Sequence, residues 1–173
     1  MTKNTKVNAA ILIIGNEILS GRTQDTNTAT LATWLNSIGV KVNEVRVIPD
    51  VEKTIIDTLN VLRKENNYVF TTGGIGPTHD DITASSVSKA FNLKYEIHQE
   101  AFKILEEYYQ PGEFNEGRQK MVWMPKNAEL IINPTSGAPG FSVDNVFCLP
   151  GVPSILKSML GGLKNKIVGG KPI

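Results

Sequence analysis

Cysteine occurs once in the 173 residues, at Cys148, so no internal disulfide can form and a cysteine-based metal site is excluded. The two histidines, His79 and His98, are too isolated to form a ligand cluster. No apolar stretch approaches the roughly 20 residues a helix needs to cross a bilayer. Met1–Lys6 is basic, but Ala9–Ile14 is too short a hydrophobic region for a signal peptide, and a cytoplasmic protein is expected. Charge of either sign is not in excess: 18 Lys and Arg against 17 Asp and Glu leave a formal +1, which gives no footprint for nucleic acid or an anionic membrane. Internal repeats, low-complexity tracts and convincing linkers are absent, and so are the Gly-x-Gly-x-x-Gly dinucleotide fingerprint and the Walker phosphate loop. The length and the 40% hydrophobic fraction suit one domain over residues 1–173, with a core from about Val7 to Leu163.

What the chain does have is glycine in clusters. Thr72-Gly73-Gly74-Ile75-Gly76-Pro77-Thr78-His79-Asp80-Asp81-Ile82-Thr83 follows a short apolar run, Tyr68–Phe70, that reads as a buried strand, and precedes a small-residue helix to about Phe91. Three glycines in four positions permit positive φ and let a ligand approach the backbone. Free amides leading into a helix N-terminus suit an anion, phosphate above all. Asp80 and Asp81 would repel a bare phosphate, so a divalent cation such as Mg²⁺ is the natural intermediary. Either aspartate could instead cap the following helix, and the glycines could mark a turn alone.

The remaining segments supply a strand and helix alternation. Val7–Ile14 reads as a central strand covered on both faces. Gly15-Asn16-Glu17-Ile18-Leu19-Ser20-Gly21 forms a second glycine-bounded loop carrying Glu17, and Asp25-Thr26-Asn27 offers cap chemistry for a helix with Leu31, Trp34, Leu35 and Ile38 inward, stopped by Gly39. Broken alternation between residues 42 and 45 predicts a bend or bulge in the second strand. Asp50 is expected to cap a helix that buries Val51, Ile55, Leu59 and Leu62. His98 reads as a surface or capping residue, with Ala101, Phe102, Leu105, Tyr108 and Tyr109 on the next helix face. A short helix over 115–123, broken at Met124-Pro125, carries Arg118 and Lys120, which could meet phosphate or solvent. A strand over 129–132 leads to Asn133-Pro134-Thr135-Ser136-Gly137-Ala138-Pro139-Gly140, a second place of close backbone approach. Asp144-Asn145 signals a hairpin, Cys148 packs as a small hydrophobe, and Gly151 with Pro153 opens a last helix as another candidate phosphate site. The tail from Lys164 reads as a weak exit segment. The whole pattern predicts an α/β fold with a mostly parallel sheet in a three-layer sandwich and a small hairpin near the C-terminus.

Several of these pieces together resemble the molybdenum cofactor biosynthesis, MoaB/Mog-type, domain, also called the molybdopterin-binding domain. They are Gly15-Asn16-Glu17-Ile18-Leu19 with Gly21 and Asp25-x-Asn27; Gly73-Gly74-Ile75-Gly76-Pro77-Thr78-x-Asp80-Asp81-x-Thr83; Asn133 with Gly137-Ala138-Pro139-Gly140; and Leu149-Pro150-Gly151-Val152-Pro153. The resemblance is nearest in the branch of the competence/damage-inducible protein A (CinA-like) nucleotide pyrophosphatases. It implies a ligand crevice at the strand ends, a homo-oligomer, and a nucleotide or pterin phosphate as small-molecule partner. Asp81 matches an aspartate kept by molybdopterin-handling members, in which the preceding residue is often arginine. Asp80 in that place resembles the pyrophosphatase branch, whose members split ADP-ribose or FAD with a divalent metal such as Mg²⁺, Mn²⁺ or Co²⁺. On that reading Asp80 and Asp81 are catalytic, Glu17, or Asp25 from the same loop, joins them at the metal, and the motif residues line the ligand site. The alternative is a molybdopterin holder or a non-catalytic ligand-binding domain. Such proteins usually continue into a further C-terminal segment.

Overall fold

The computed structural model describes residues 7–173; the basic Met1–Lys6 segment lies outside the described residues. A six-stranded sheet runs in the order β2-β1-β3-β8-β7-β6, and β4 and β5 form a separate two-stranded sheet. β1 (Val7–Ile14), β2 (Val40–Ile48), β3 (Tyr68–Thr72) and β8 (Val146–Leu149) are mutually parallel, while β7 (Gly140–Val143) and β6 (Glu129–Ile131) add on antiparallel.

The unbroken apolar run of β1 follows from burial on both faces. Ala10, Leu12 and Ile14 face one core with Ile55, Leu59 and Leu62 of α3 (Glu52–Glu65), Val87 of α4 (Thr83–Ala90) and Leu105 of α5 (Gln99–Tyr108). Ala9, Ile11 and Ile13 face the other with Leu31 and Leu35 of α2 (Asn27–Ser37) and Leu156 and Met159 of α7 (Pro153–Met159). Each of these large side chains contributes about 1.5–3 kcal/mol by leaving water, which is why helices are held against both faces of the sheet. No helix among the described residues is long and apolar enough to cross a membrane.

Register brings the strand ends together. Ile14 pairs with Ile48, Ile13 with Thr72, and Thr72 with Leu149, so the loops after β1, β2, β3 and β8 leave one edge of the sheet side by side. Gly140 pairs with Ile131 at that same edge, because β7 runs back along β8 from the Asp144 turn, where φ is 51°. The expected irregularity in β2 is present: Ala9 pairs with Val42 and Ala10 with Glu44, leaving Asn43 as the bulged residue.

Several local expectations are corrected. The Gly15–Gly21 segment contains a one-turn helix, α1 (Asn16–Leu19). Asp50 does not cap α3, whose N-cap is Val51 without a side-chain bond, and Val51 is exposed rather than on the buried face. Tyr108 is also exposed. Met124-Pro125 does not simply break a helix: α6 (Glu116–Gln119) and a 3₁₀ turn (Lys120–Val122) pass into β5 (Trp123–Pro125), which pairs with β4 (Tyr95–Ile97). The tail is packed, with Ile167 buried and the Gly170 N–H donating to the Gly39 carbonyl. His98 does cap α5, its Nδ1 accepting from the Ala101 N–H at 3.2 Å.

Candidate functional site

The loop after β3 is shaped by its own side chains. Gly73 and Gly74 take φ of 93° and 75°, left-handed values that disfavour any Cβ. Thr83, fully buried at the start of α4, donates its hydroxyl to the Gly73 carbonyl at 2.9 Å, and its N–H reaches the Gly74 carbonyl at 2.9 Å. Downstream, Asp81 Oδ2 accepts from both the N–H and the hydroxyl of Thr78 at 2.9 Å. Asp81 therefore closes the turn and does not cap α4, whose N-cap, Ile82, has no side-chain bond. The Gly73 N–H donates to the Leu149 carbonyl and the Thr78 N–H to Asp81. The N–H groups of Gly74, Ile75 and Gly76 between them find no partner among the described residues, and these three residues line a cavity of about 480 Å³. Buried or half-buried amides without partners are costly unless a ligand or water meets them, which makes this stretch a ready anion cradle.

The cavity gathers distant segments. Glu17 of α1, Asn27 of α2, Thr72, Pro77, Asp81, Asn133, Ala138, Pro139, Gly151 and Pro153 all line it with the glycine loop. Asn27 donates its Nδ2 to the Gly151 carbonyl at 2.9 Å, tying the first loop to the last, and its buried Oδ1 has no partner among the described residues. Asn133 shapes its own loop: Oδ1 accepts from the Thr135 and Ser136 N–H groups, and Nδ2 donates to the Ala138 carbonyl at 2.9 Å.

A second, smaller cleft of about 240 Å³ adjoins the first across Glu17, Gly74 and Asp81, and is lined also by Asn16, Arg22, Asp50, Thr78 and Asp80. Burial raises the Asp50 carboxyl above its ordinary value, and the negative charges of Glu17, Asp81 and Asp80 push the same way against the hydrogen bond from Asn16. Asp50 and Asn16 exchange side-chain and backbone bonds at 3.1 and 3.2 Å, which pins α1 to the end of β2. The four carboxylates create a field that favours a cation. Among the described residues no three acidic, histidine or cysteine groups are close enough together to cage a metal ion. Such a set fits an ion held by one or two carboxylates and completed by substrate phosphate oxygens, the usual habit of Mg²⁺.

Some residues expected at the ligand lie behind it. Asp25 is engaged in the turn before α2, accepting from the Asn27 and Thr28 N–H groups at 2.9 and 3.3 Å, and so is not placed as a metal ligand. Thr83 is sealed beneath the loop, Gly15 is buried, and Gly140 lies inside β7, where a Cβ would stand 2.5 Å from the Cys148 carbonyl oxygen. Gly137 turns its loop at φ 83° over Tyr108. Asp80 and Asn16 reach only the acidic cleft, and exposed His79 stands 3.3 Å from Asp80, outside both. Arg118 donates to the Glu113 carbonyl at 2.7 Å and covers Tyr109, whereas Lys120 donates to the Thr78 carbonyl beside the site. Sequence reasoning missed Arg22, Asp50, Ser136 and Met121 as lining residues. Arg22 directly follows the first glycine motif, and that adjacency was the available signal.

A family model described as a probable molybdopterin binding domain matches residues 10–168. A protein of Archaeoglobus fulgidus is 37% identical over 148 residues, which cover 86% of this chain and 63% of that protein. One of Pyrobaculum calidifontis is 37% identical over 160 residues, 89% of this chain and 61% of that protein. The chain thus spans less than two thirds of the length of these relatives. The crystal structure of CinA from Thermoplasma acidophilum, a protein described there as of unknown function, matches with a TM-score of 0.86 at 31% identity, over 93% of this chain and 99% of that one. The molybdopterin biosynthesis enzyme MoaB of Thermus thermophilus shares the fold, with a TM-score of 0.61 at 16% identity over 96% of this chain and 99% of its own. On the extent of the family match and the likeness to CinA, the chain belongs to the probable molybdopterin binding domain family.

Proposed function

We propose that this crevice binds the pyrophosphate of a nucleoside diphosphate derivative, ADP-ribose or FAD, and hydrolyses it with the help of a divalent cation. The observation that carries the reading is the junction of two cavities: Gly74, Ile75 and Gly76, whose amides have no partner among the described residues, line the larger one, and Glu17, Gly74 and Asp81 form the wall it shares with the acidic cleft. The amides bind one phosphate through its non-bridging oxygens. Asp81, with Oδ2 engaged by Thr78, has Oδ1 left for a cation, and Glu17 and Asp80 line the same cleft. A bound Mg²⁺, Mn²⁺ or Co²⁺ would neutralise charge on the phosphate oxygens and acidify a water. In the balanced reaction a water oxygen bonds to one phosphorus, the bond from that phosphorus to the bridging oxygen breaks, and the water proton leaves to a base. ADP-ribose then gives AMP and ribose 5-phosphate.

The description of the matching family favours a second reading, a molybdopterin phosphate held in the same cradle without hydrolysis. Chromatographic analysis of ADP-ribose and FAD incubated with each metal separates the two. AMP appearing only with metal supports hydrolysis, and intact substrate with every metal defeats it. A homo-oligomer is part of the proposal, and light scattering that shows only monomer at micromolar concentration counts against it.

A further inference from the structure

The cavity wall continues past the cradle to an aromatic pair. Met121 lines the main cavity and also a narrow notch whose other walls include Gly76, Asp81, Tyr95, Lys120 and Trp123. Trp123 opens β5, and its ring lies 5.4 Å from that of Tyr95 with the planes 43° apart. Tyr95 is partly buried and covers one side of the indole, yet Trp123 keeps 37% of its surface exposed. The notch itself, about 10 Å³, admits no ring, so an aromatic ligand would lie across its mouth against the indole. Lys120 donates to the Thr78 carbonyl and sets a cation at the same junction, between the indole and the phosphate loop. A partly exposed indole beside an anion cradle fits a molecule with a phosphate at one end and a planar base at the other.

We infer that Trp123, backed by Tyr95, is the stacking platform for the nucleobase of the nucleotide whose phosphate occupies the Gly74–Gly76 amides. This rests on the nucleotide reading of the crevice and goes beyond it by assigning the base its place, outside the main cavity on the β4–β5 side. Stacking tolerates different bases because each has a π face, so adenine and the flavin ring are both accommodated.

The probes are AMP, which carries a base, and ribose 5-phosphate, which does not. Binding is measured by calorimetry and by tryptophan fluorescence on the wild-type chain, Trp123→Ala and Trp123→Phe, with circular dichroism as the control for folding. AMP is expected to quench the wild-type emission. Trp123→Ala is expected to weaken AMP by about tenfold or more, leave ribose 5-phosphate within about twofold, and lose the quenching, while Trp123→Phe retains most of the AMP affinity. No AMP binding by the wild type, unchanged AMP affinity in Trp123→Ala, or equal losses for both probes overturns the inference. A change of oligomeric state in Trp123→Ala with AMP affinity intact also overturns it and assigns the ring to a second copy of the chain. Base-dependent AMP binding without turnover of ADP-ribose or FAD defeats the hydrolytic proposal alone and leaves the platform standing.

Discussion

Thr83→Val is the sharpest probe of how the glycine loop is held. The two side chains are nearly isosteric, so the substitution removes one hydroxyl from a fully buried position. The Gly73 carbonyl loses the donor that now sits 2.9 Å away, while the Thr83 N–H bond to Gly74 is untouched. An orphaned buried carbonyl costs about 1–3 kcal/mol, and in a chain of this size each kcal/mol lowers Tm by about 2–4 °C. The valine methyl that takes the oxygen's place stands closer to that carbonyl than carbon tolerates, so Gly73 and Gly74 must shift and the cradle loses its shape. Calorimetric melting is expected to fall by about 2–12 °C, and AMP affinity by about tenfold. Thr83→Ser, which keeps the hydroxyl, should retain most of the affinity. A Thr83→Val protein that melts within about 1 °C of wild type and binds AMP normally would refute the positioning role.

Asp81→Asn keeps an acceptor for Thr78 and removes the charge, so Tm should fall by less than about 4 °C while metal-dependent ADP-ribose turnover falls by about 10²-fold; normal turnover eliminates the role at the metal. A Cβ at Gly151 would meet the Gly73 backbone alone, at an ordinary 3.4 Å from Cα and 3.7 Å from N, so Gly151→Val should fold and lose AMP affinity by narrowing the cavity, which calorimetry would read as about a tenfold rise in Kd. Burial pushes the Cys148 thiol up to about 12, with the Thr71 hydroxyl opposing. Iodoacetamide should therefore spare the native protein at about pH 8.5 and label it once unfolded. Because the folded value is the higher one, this thiol's contribution to stability is complete below its ordinary value near 9 and is lost as pH rises towards about 12.

Much of the fold was legible because its signals are local. The isoleucine-rich run of β1 can be buried only from both sides, the misplaced alternation near Asn43 announces a bulge, and Asp144-Asn145 needs only its neighbours to make a turn. The glycine loops could be placed together at one edge of the sheet without any coordinates, and Gly73, Gly74, Ala138, Pro139 and Gly151 do line one cavity there. What escaped depends on distant partners. Asp50 has the composition of a cap, yet its bond is to Asn16, 34 positions away. Thr83 and Gly140 carry motif positions but serve the loop and the sheet from behind, and nothing in sequence separates a residue that touches ligand from one that shapes the residue that does. Gly74 shows the same limit. The glycine reads in sequence as room for a ligand, but a Cβ there would fall 2.0 Å from Thr83 Oγ1, so the loop's own packing requires it first. The strands β4 and β5 have three residues each, too few for a periodicity. Gly169 belongs to the tail's packing, where a Cβ would collide with the Ile38 carbonyl, and only tertiary contact reveals that need.

The central claim is that the unpartnered amides of Gly74, Ile75 and Gly76 receive a phosphate. Backbone amide resonances followed by NMR during titration with AMP test it directly and do not depend on whether the molecule is cleaved. The account predicts the largest shifts at those three amides, smaller ones at Gly151 and Ala138 on the facing walls, and none at the Asp144 turn on the opposite edge of the sheet. Resonances of Gly74–Gly76 that stay in place while AMP saturates the protein and moves amides elsewhere would contradict it.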